Sequence, residues 1–164
     1  MDAPGIPHDR HGPVRAAADP SDGAAPVQAV RCAGGIVRDD NGRILLIRRA
    51  NEPGRGLWSL PGGRCRPGES ARAACVRELR EECALEIAID RVAGRVVRPG
   101  AVEGTQYEIT DYFCSVVAGT PIAGDDADEV CWADRRALSR LQLTDGLLEA
   151  LTTWGALTTG PDAP

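Results

Sequence analysis

The sequence predicts an α+β domain built in layers, and three observations predict it. Short runs with strand character recur at residues 30–37, 43–49, 57–60, 85–97, 107–117 and 130–132. One amphipathic helix follows the third of them, over residues 70–83, and a second closes the chain over residues 144–154. Strands interrupted by one helix and followed by another bury their apolar faces as a sheet covered by helices. At 164 residues the chain holds one such domain, placed at residues 28–157, between an N-terminal tail (1–27) and a C-terminal tail (158–164).

The N-terminal tail is rich in Pro, Gly, Ala and Asp without apolar periodicity, which predicts disorder. The first strand carries Gly34 and Gly35, a sign that another backbone or a ligand comes close. Asp39-Asp40-Asn41-Gly42 has the chemistry of a hairpin turn into the next strand, whose Ile44-Leu45-Leu46-Ile47 core predicts burial. Arg48 and Arg49 end that strand, where they either face solvent or meet a phosphate. Residues 51–56 form a loop, and the strand at 57–60, with Trp58 in the core, runs into Pro61-Gly62-Gly63, read as a tight turn. Ser70, after Pro67-Gly68, is the N-cap of the first helix, whose apolar side is Cys75, Val76, Leu79 and Cys83. The strand at 107–117 places Tyr107, Ile109, Asp111, Phe113 and Ser115 on one face. An acidic loop, Gly124-Asp125-Asp126-Ala127-Asp128-Glu129, precedes the last strand, and a short helix is expected at 135–141.

Composition removes several function classes. The net charge is −5 and all 19 basic residues are arginines, with no basic stripe, so phosphate-backbone binding to nucleic acid has no support. No apolar run is long enough for a bilayer and no secretory leader is evident, so a cytoplasmic protein without membrane contact is the expectation. The six cysteines include no Cys-x-x-Cys pair, which argues against a zinc site, and a cytoplasmic setting argues against disulfides. The two histidines, His8 and His11, both fall in the N-terminal tail. A core without histidine argues against Ser-His-Asp, Cys-His and His-metal chemistry and leaves acid–base work to carboxylates, arginines, tyrosines or metal-bound water.

The first helix carries the chemistry. Glu78, Glu81 and Glu82 stand at i, i+3 and i+4, within about 100° of one helix face. Like charges so spaced repel, and they lie toward the negative end of the helix dipole. A divalent cation removes both penalties, and carboxylate oxygens suit Mg²⁺, with Mn²⁺ the other admissible ion. The plain alternative is a solvated acidic face interleaved with Arg77 and Arg80. The wider spacing favours the cation. Gly63 is followed by five residues and Glu69, then by seven residues and Arg77-Glu78-Leu79-Arg80-Glu81-Glu82-Cys83-Ala84-Leu85. This resembles the Nudix box of the Nudix hydrolases, with Ala84 where the family carries glycine.

The resemblance covers about residues 29–156 and implies the Nudix fold, an α/β/α sandwich with a mixed β-sheet. It implies that Glu78, Glu81 and Glu82, with the Gly62 carbonyl, hold the metal, and that Glu69 and Arg77 pair to brace the loop against the helix. Family members also place a loop carboxylate near the site as ligand or general base; Asp125 and Glu129 are the candidates here. The reaction implied is metal-dependent hydrolysis of a pyrophosphate bond in a nucleoside diphosphate linked to another moiety. ADP-ribose or a nucleotide sugar is favoured, a (deoxy)nucleoside triphosphate is the alternative, and a non-catalytic nucleotide-binding module is the reading from another class. Many relatives form dimers, so a homodimer is the assembly to look for.

Overall fold

The computed structural model describes residues 27–157, so the expectations for the two tails, His8 and His11 included, lie outside the described residues. In chain order the elements are β1 (Gln28–Val37), β2 (Ile44–Arg49), β3 (Trp58–Ser59), β4 (Gly62–Arg64), α1 (Ala71–Cys83), β5 (Glu86–Pro99), β6 (Thr105–Ala118), β7 (Ala127–Ala133), α2 (Arg135–Leu138) and α3 (Leu147–Thr153). They form a four-stranded sheet in the order β4-β1-β6-β5 and a three-stranded sheet in the order β3-β2-β7. Among these strands β1 and β6 run parallel and the other pairings are antiparallel, with one further parallel bridge from Trp58 to Leu143.

Alternation along the central strands builds two cores. Ala33, Val37, Leu45, Ile47, Tyr112 and Cys114 pack on Ala74, Cys75, Leu79 and Cys83 of α1. Their neighbours Ile36, Ile44, Leu46 and Phe113 pack on Leu138, Leu147 and Leu151 of α2 and α3. A strand between two helical layers is buried on both faces, which is why Asp111, Tyr112, Phe113 and Cys114 are buried in succession. The result is an α/β/α sandwich.

Three local expectations are corrected. The turn at 39–42 forms, with Asp39 Oδ1 accepting from the amides of Asn41 and Arg43 at 3.0 and 2.8 Å. It does not close a hairpin, however: after one bridge, Arg38 to Ile44, its strands part into different sheets. Both edges of β1 are already taken by β4 and β6, and both edges of β2 by β3 and β7. Gly62 and Gly63 are not a turn but strand β4, paired with Gly34 and Ala33 of β1. A Cβ on Gly62 would collide with the Ala33 carbonyl, so glycine here permits backbone approach. The last helix is shorter than its pattern, because residues before it are spent on β3: the Trp58 amide donates to Gln142 O (2.8 Å), and the Thr144 amide to Trp58 O (2.9 Å).

Helix α1 follows its sequence signals. Ser70 Oγ accepts from the Ala73 amide at 3.1 Å, and the helix stops at Cys83. Ala84 then takes φ 56°, ψ 31°, while the Leu85 amide reaches back to Leu79 O at 3.2 Å. Left-handed backbone costs a non-glycine residue roughly 1–2 kcal/mol, and glycine gives back part of that through unfolded-state entropy. Ala84→Gly is therefore expected to stabilise the protein by about 0.5–1 kcal/mol, read as a higher denaturant midpoint at unchanged slope. An unchanged or lower midpoint would show that the cap is not strained. Among the described residues, no helix is long and apolar enough to cross a membrane.

Candidate active site

The three glutamates of α1 do not share one environment. Glu78 and Glu82 are buried, at 8% and 5% exposure, while Glu81 is exposed. Strand β4 lies against them. The Gly62 amide donates to Glu82 Oε2 at 2.7 Å, and a side chain at Gly63 would run into the Glu78 carboxylate. The contact Gly62 makes with the cluster is thus through its amide.

Arg77 ties the cluster together. It forks onto Glu69 through Nε and Nη2, each at 2.9 Å. Its Nη1 donates to Glu78 Oε1 at 2.7 Å and to Glu81 Oε2 at 2.9 Å, and Nη2 also donates to the Arg64 carbonyl at 3.1 Å. Glu69 further accepts the Arg66 amide at 2.8 Å, which staples the loop to the helix. The hydrogen bonds from Arg77 and the Arg66 amide hold the Glu69 carboxyl down at about 2. Those Arg77 makes, to Glu69 first, raise its own pKa.

The buried pair behaves in the opposite way. Burial lifts the Glu78 carboxyl above its ordinary value despite Arg77. Burial pushes Glu82 up to about 8, against the Gly62 amide and with the Glu78 charge adding to the rise. Two carboxylates held together in a poorly solvated place favour a cation beside them. Among the described residues no three Asp, Glu, His or Cys side chains are gathered as a finished ion cage. The reason is visible in the contacts: the Arg77 guanidinium sits between Glu78 and Glu81, and Glu82 is turned to the Gly62 amide. The donor set is all oxygen and anionic, which fits Mg²⁺ or Mn²⁺.

In the acidic loop, Asp126 stands nearer the buried glutamates in its electrostatic effect than the Asp125 and Glu129 that the sequence singled out. The Asp126 charge bears on both Glu78 and Glu82. The loop is held there by Asn51 Nδ2, which donates to Asp126 Oδ1 at 2.7 Å, and by the Ala50 amide on the Asp126 carbonyl at 3.1 Å. Asp125 is exposed in the turn, and Glu129 pairs with Arg48 Nη1 at 3.3 Å. Nothing in Gly-Asp-Asp-Ala-Asp-Glu ranks its carboxylates. The β2–β7 register and the contact with Asn51 do.

A cavity of about 540 Å³ opens beside β4. Gly62, Gly63, Arg49, Arg64, Arg98 and Trp154 are among the residues that line it. Ser59 and Asp111 also face it, both more than nine-tenths buried. Burial alone pushes the Asp111 carboxyl up to about 7. Sequence reasoning placed Asp111 on a strand face and gave it no role, because the glycines that frame it come from other strands.

An α/β/α sandwich whose first helix carries the Gly63–Leu85 spacing and presents its glutamates to a Gly-Gly strand is the architecture of a Nudix domain. A profile of the NUDIX domain matches residues 29–153, and the chain belongs to that family. It is 36% identical over 107 residues to the ADP-ribose pyrophosphatase of Methanocaldococcus jannaschii, covering 65% of this chain and 63% of that one. It is 42% identical over 71 residues to the CTP pyrophosphohydrolase of Escherichia coli, covering 38% of this chain and 51% of that one. The matches therefore span less than two thirds of these relatives. Among solved structures, the MutT protein of Methanosarcina mazei superposes with a TM-score of 0.71 at 21% identity, over 80% of this chain and 96% of that one, a likeness of fold.

Proposed function

We propose that this chain is a metal-dependent pyrophosphohydrolase acting on a nucleoside diphosphate linked to another group, with Mg²⁺ or Mn²⁺ as its ion. The observation that carries this is the buried Glu78–Glu82 pair, with Glu78 held by Arg77 and Glu82 by the amide of Gly62, which itself borders a cavity of about 540 Å³. That volume lies within the usual range for small-molecule sites. Glu78, Glu81 and Glu82 would hold the ion, with Asp126 the nearby loop carboxylate and Gly62 beside them. When bound, Mg²⁺ or Mn²⁺ supplies positive charge for the diphosphate and acidity for the attacking water. Arg49 and Arg64, which border the cavity, are placed to meet phosphate charge. Water adds to phosphorus, the anhydride P–O bond breaks, and the water proton passes to a carboxylate. Glu81 and Asp126, both exposed, are the members of the cluster within solvent's reach. Arg77 and Glu69 act by holding the glutamates in place.

Two substrate readings remain in play within this class. The ADP-ribose pyrophosphatase relative supports ADP-ribose or a nucleotide sugar, and the CTP pyrophosphohydrolase relative supports a nucleoside triphosphate. The test is phosphate-coupled turnover on ADP-ribose, nucleotide sugars and the nucleoside triphosphates, with Mg²⁺ or Mn²⁺ and with Glu82→Gln as control. Turnover on one class, abolished by EDTA and by the substitution, is the expected result. No turnover on any of them with either ion, alongside measurable nucleotide binding, would instead identify a non-catalytic module.

A further inference from the structure

The face of the four-stranded sheet that packs on α1 carries a recess of its own. Arg31 of β1 pairs with Glu108 of β6, and Glu108 with Val97 of β5. Two residues on, Ala33 pairs with Thr110, and Thr110 with Arg95. Residues so paired, and residues two apart on a strand, share one side of a sheet. Ala33 and Tyr112 pack on α1, so Arg31, Arg95 and Thr110 belong to the same face. Helix α1 begins at Ala71, and beyond its first turn Arg31, Glu108, Arg95 and Val97 are exposed. The recess between them and the start of the helix holds about 390 Å³. Asp111 and the cavity of the candidate active site lie on the opposite face, with Cys32, Val96 and Ile109 bordering both spaces.

The charge of this recess is one-sided. Arg31, Arg72 and Arg95 reach it from β1, α1 and β5, against the single carboxylate of Glu108. None of these arginines forms an ion pair among the described residues, and Glu108 Oε1 accepts from Gln106 Nε2 at 3.0 Å. The chain carries a net charge of −5, so a surplus of cations here is not a general property of its surface. Arg72 stands over the Tyr112 ring, with Cζ 5.8 Å from the centroid. Burial lifts the Tyr112 phenol above its ordinary value, while the charges of Arg72 and Arg95 act against it, so both guanidiniums lie near that oxygen. Tyr112 is 5% exposed, and its hydroxyl makes no hydrogen bond among the described residues. A buried polar group left open in this way calls for a partner from outside the chain. The helix end adds donors. Ser70 takes the amides of Ala73 and Ala74, which leaves those of Ala71 and Arg72 without an acceptor among the described residues, and no acidic side chain stands in the first turn.

We infer that this recess is a second anion site, on the far side of the sheet from the candidate active site, and that it takes a phosphoryl dianion between Arg31, Arg72 and Arg95. Three guanidiniums against one carboxylate leave two positive charges in excess, which a phosphoryl dianion neutralises and a monovalent carboxylate does not. Guanidinium forks match phosphate oxygens in pairs, and the Tyr112 hydroxyl and the first amides of α1 supply further donors. The group can arrive as free phosphate or on a nucleotide, since the chemistry that recognises it is the same.

The experiment is titration of the isotope-labelled full chain with inorganic phosphate in EDTA, followed through its backbone amide resonances. The amides of Ala71, Arg72 and Thr110 are expected to shift saturably, with phosphate binding about tenfold or more tightly than acetate at equal ionic strength. Arg31→Gln and Arg95→Gln are each expected to weaken phosphate about three- to tenfold. Both side chains are exposed, so the variants should keep the wild-type melting temperature. AMP, titrated alongside, separates the two sources. Equal affinity assigns the recess to the phosphoryl group alone, and tighter binding that weakens in Arg95→Gln assigns it to a nucleotide phosphate. Shifts confined to Gly62, Gly63 and Arg64 would place the anion in the candidate active site instead. Acetate binding as well as phosphate, or phosphate affinity unchanged in both variants, would leave only a diffuse basic surface. Any of these three results would overturn the inference. No metal and no turnover enter the readout, so it stands or falls apart from the hydrolase reading.

Discussion

Glu82→Gln is expected to lower turnover about a thousandfold or more while making the metal-free protein more stable above neutral pH. The loss of rate follows from removing an anionic oxygen donor at the ion, a contribution worth several kcal/mol to a charged transition state. The gain in stability follows from burial. Glu82 is 5% exposed, and its carboxyl moves from an ordinary 4.5 to about 8 on folding. A carboxyl with a raised folded-state pKa binds its proton more tightly in the native protein than in the unfolded chain. Its stability contribution is fully present below pH 4.5 and is lost as pH rises toward about 8. The metal-free wild type should therefore lose stability across that window, on the order of a few kcal/mol, and its melting temperature should fall with it. In Glu82→Gln the side chain is neutral at every pH, and its amide oxygen can still accept from Gly62. Its melting temperature should vary less over the same window. Saturating Mg²⁺ should stabilise the wild type most at the alkaline end, where the carboxylate is ionised, and Glu82→Gln little. A wild-type melting temperature in EDTA that does not fall between pH 5 and 8 would contradict the burial argument. An active Glu82→Gln would remove Glu82 from the ion site.

Arg77→Met is expected to be among the most destabilising single changes outside the apolar core. The guanidinium is 16% exposed and serves Glu69, Glu78, Glu81 and the Arg64 carbonyl at once. Methionine fills similar volume but leaves Glu78 buried without its counter-charge. Breaking one side of a buried pair costs about 3–5 kcal/mol, so a loss of about 3 kcal/mol, or roughly 10 °C in melting temperature, is expected. Arg77→Lys restores the charge without the fork and should recover only part of it. Glu69→Gln should cost less than Arg77→Met, because Arg77 then keeps Glu78 and Glu81. Thermal melts of the three variants decide this. If Arg77→Met melts within about 2 °C of the wild type, the network is ornamental and the glutamates are held by the helix alone.

How much of this was legible in the sequence differs from residue to residue. Ser70 as cap, Cys83 as the last helical residue and the special backbone at Ala84 were all readable, because a helix is closed by hydrogen bonds a few residues apart. The partnership of Glu69 with Arg77 was readable as well, through the resemblance, and the structure forms it as a two-pronged pair. Local patterning also told buried strands from exposed ones, since Ile44 to Ile47 could hardly be anything else.

What the sequence left open depends on which strand lies beside which. Hairpin chemistry at 39–42 made a true turn, but the edges of β1 and β2 were claimed by strands from elsewhere in the chain. Of the acidic loop the sequence singled out Asp125 and Glu129 and passed over Asp126, which Asn51 and Ala50, 75 and 76 residues away respectively, hold where its charge bears on the glutamates. Glu78, Glu81 and Glu82 looked alike on a helical wheel; β4 buried two of them and left the third in water. Asp111 was one polar residue in a strand until Gly34, Gly62 and Gly94 were brought alongside it. The sequence by itself determined the helix, its caps and the spacing of its carboxylates, because these are set by bonds and contacts within a few residues. The tertiary structure alone decided which carboxylates are buried, which loop charge bears on them and which residues line the cavity. Burial and electrostatic environment are properties of the neighbours a fold supplies.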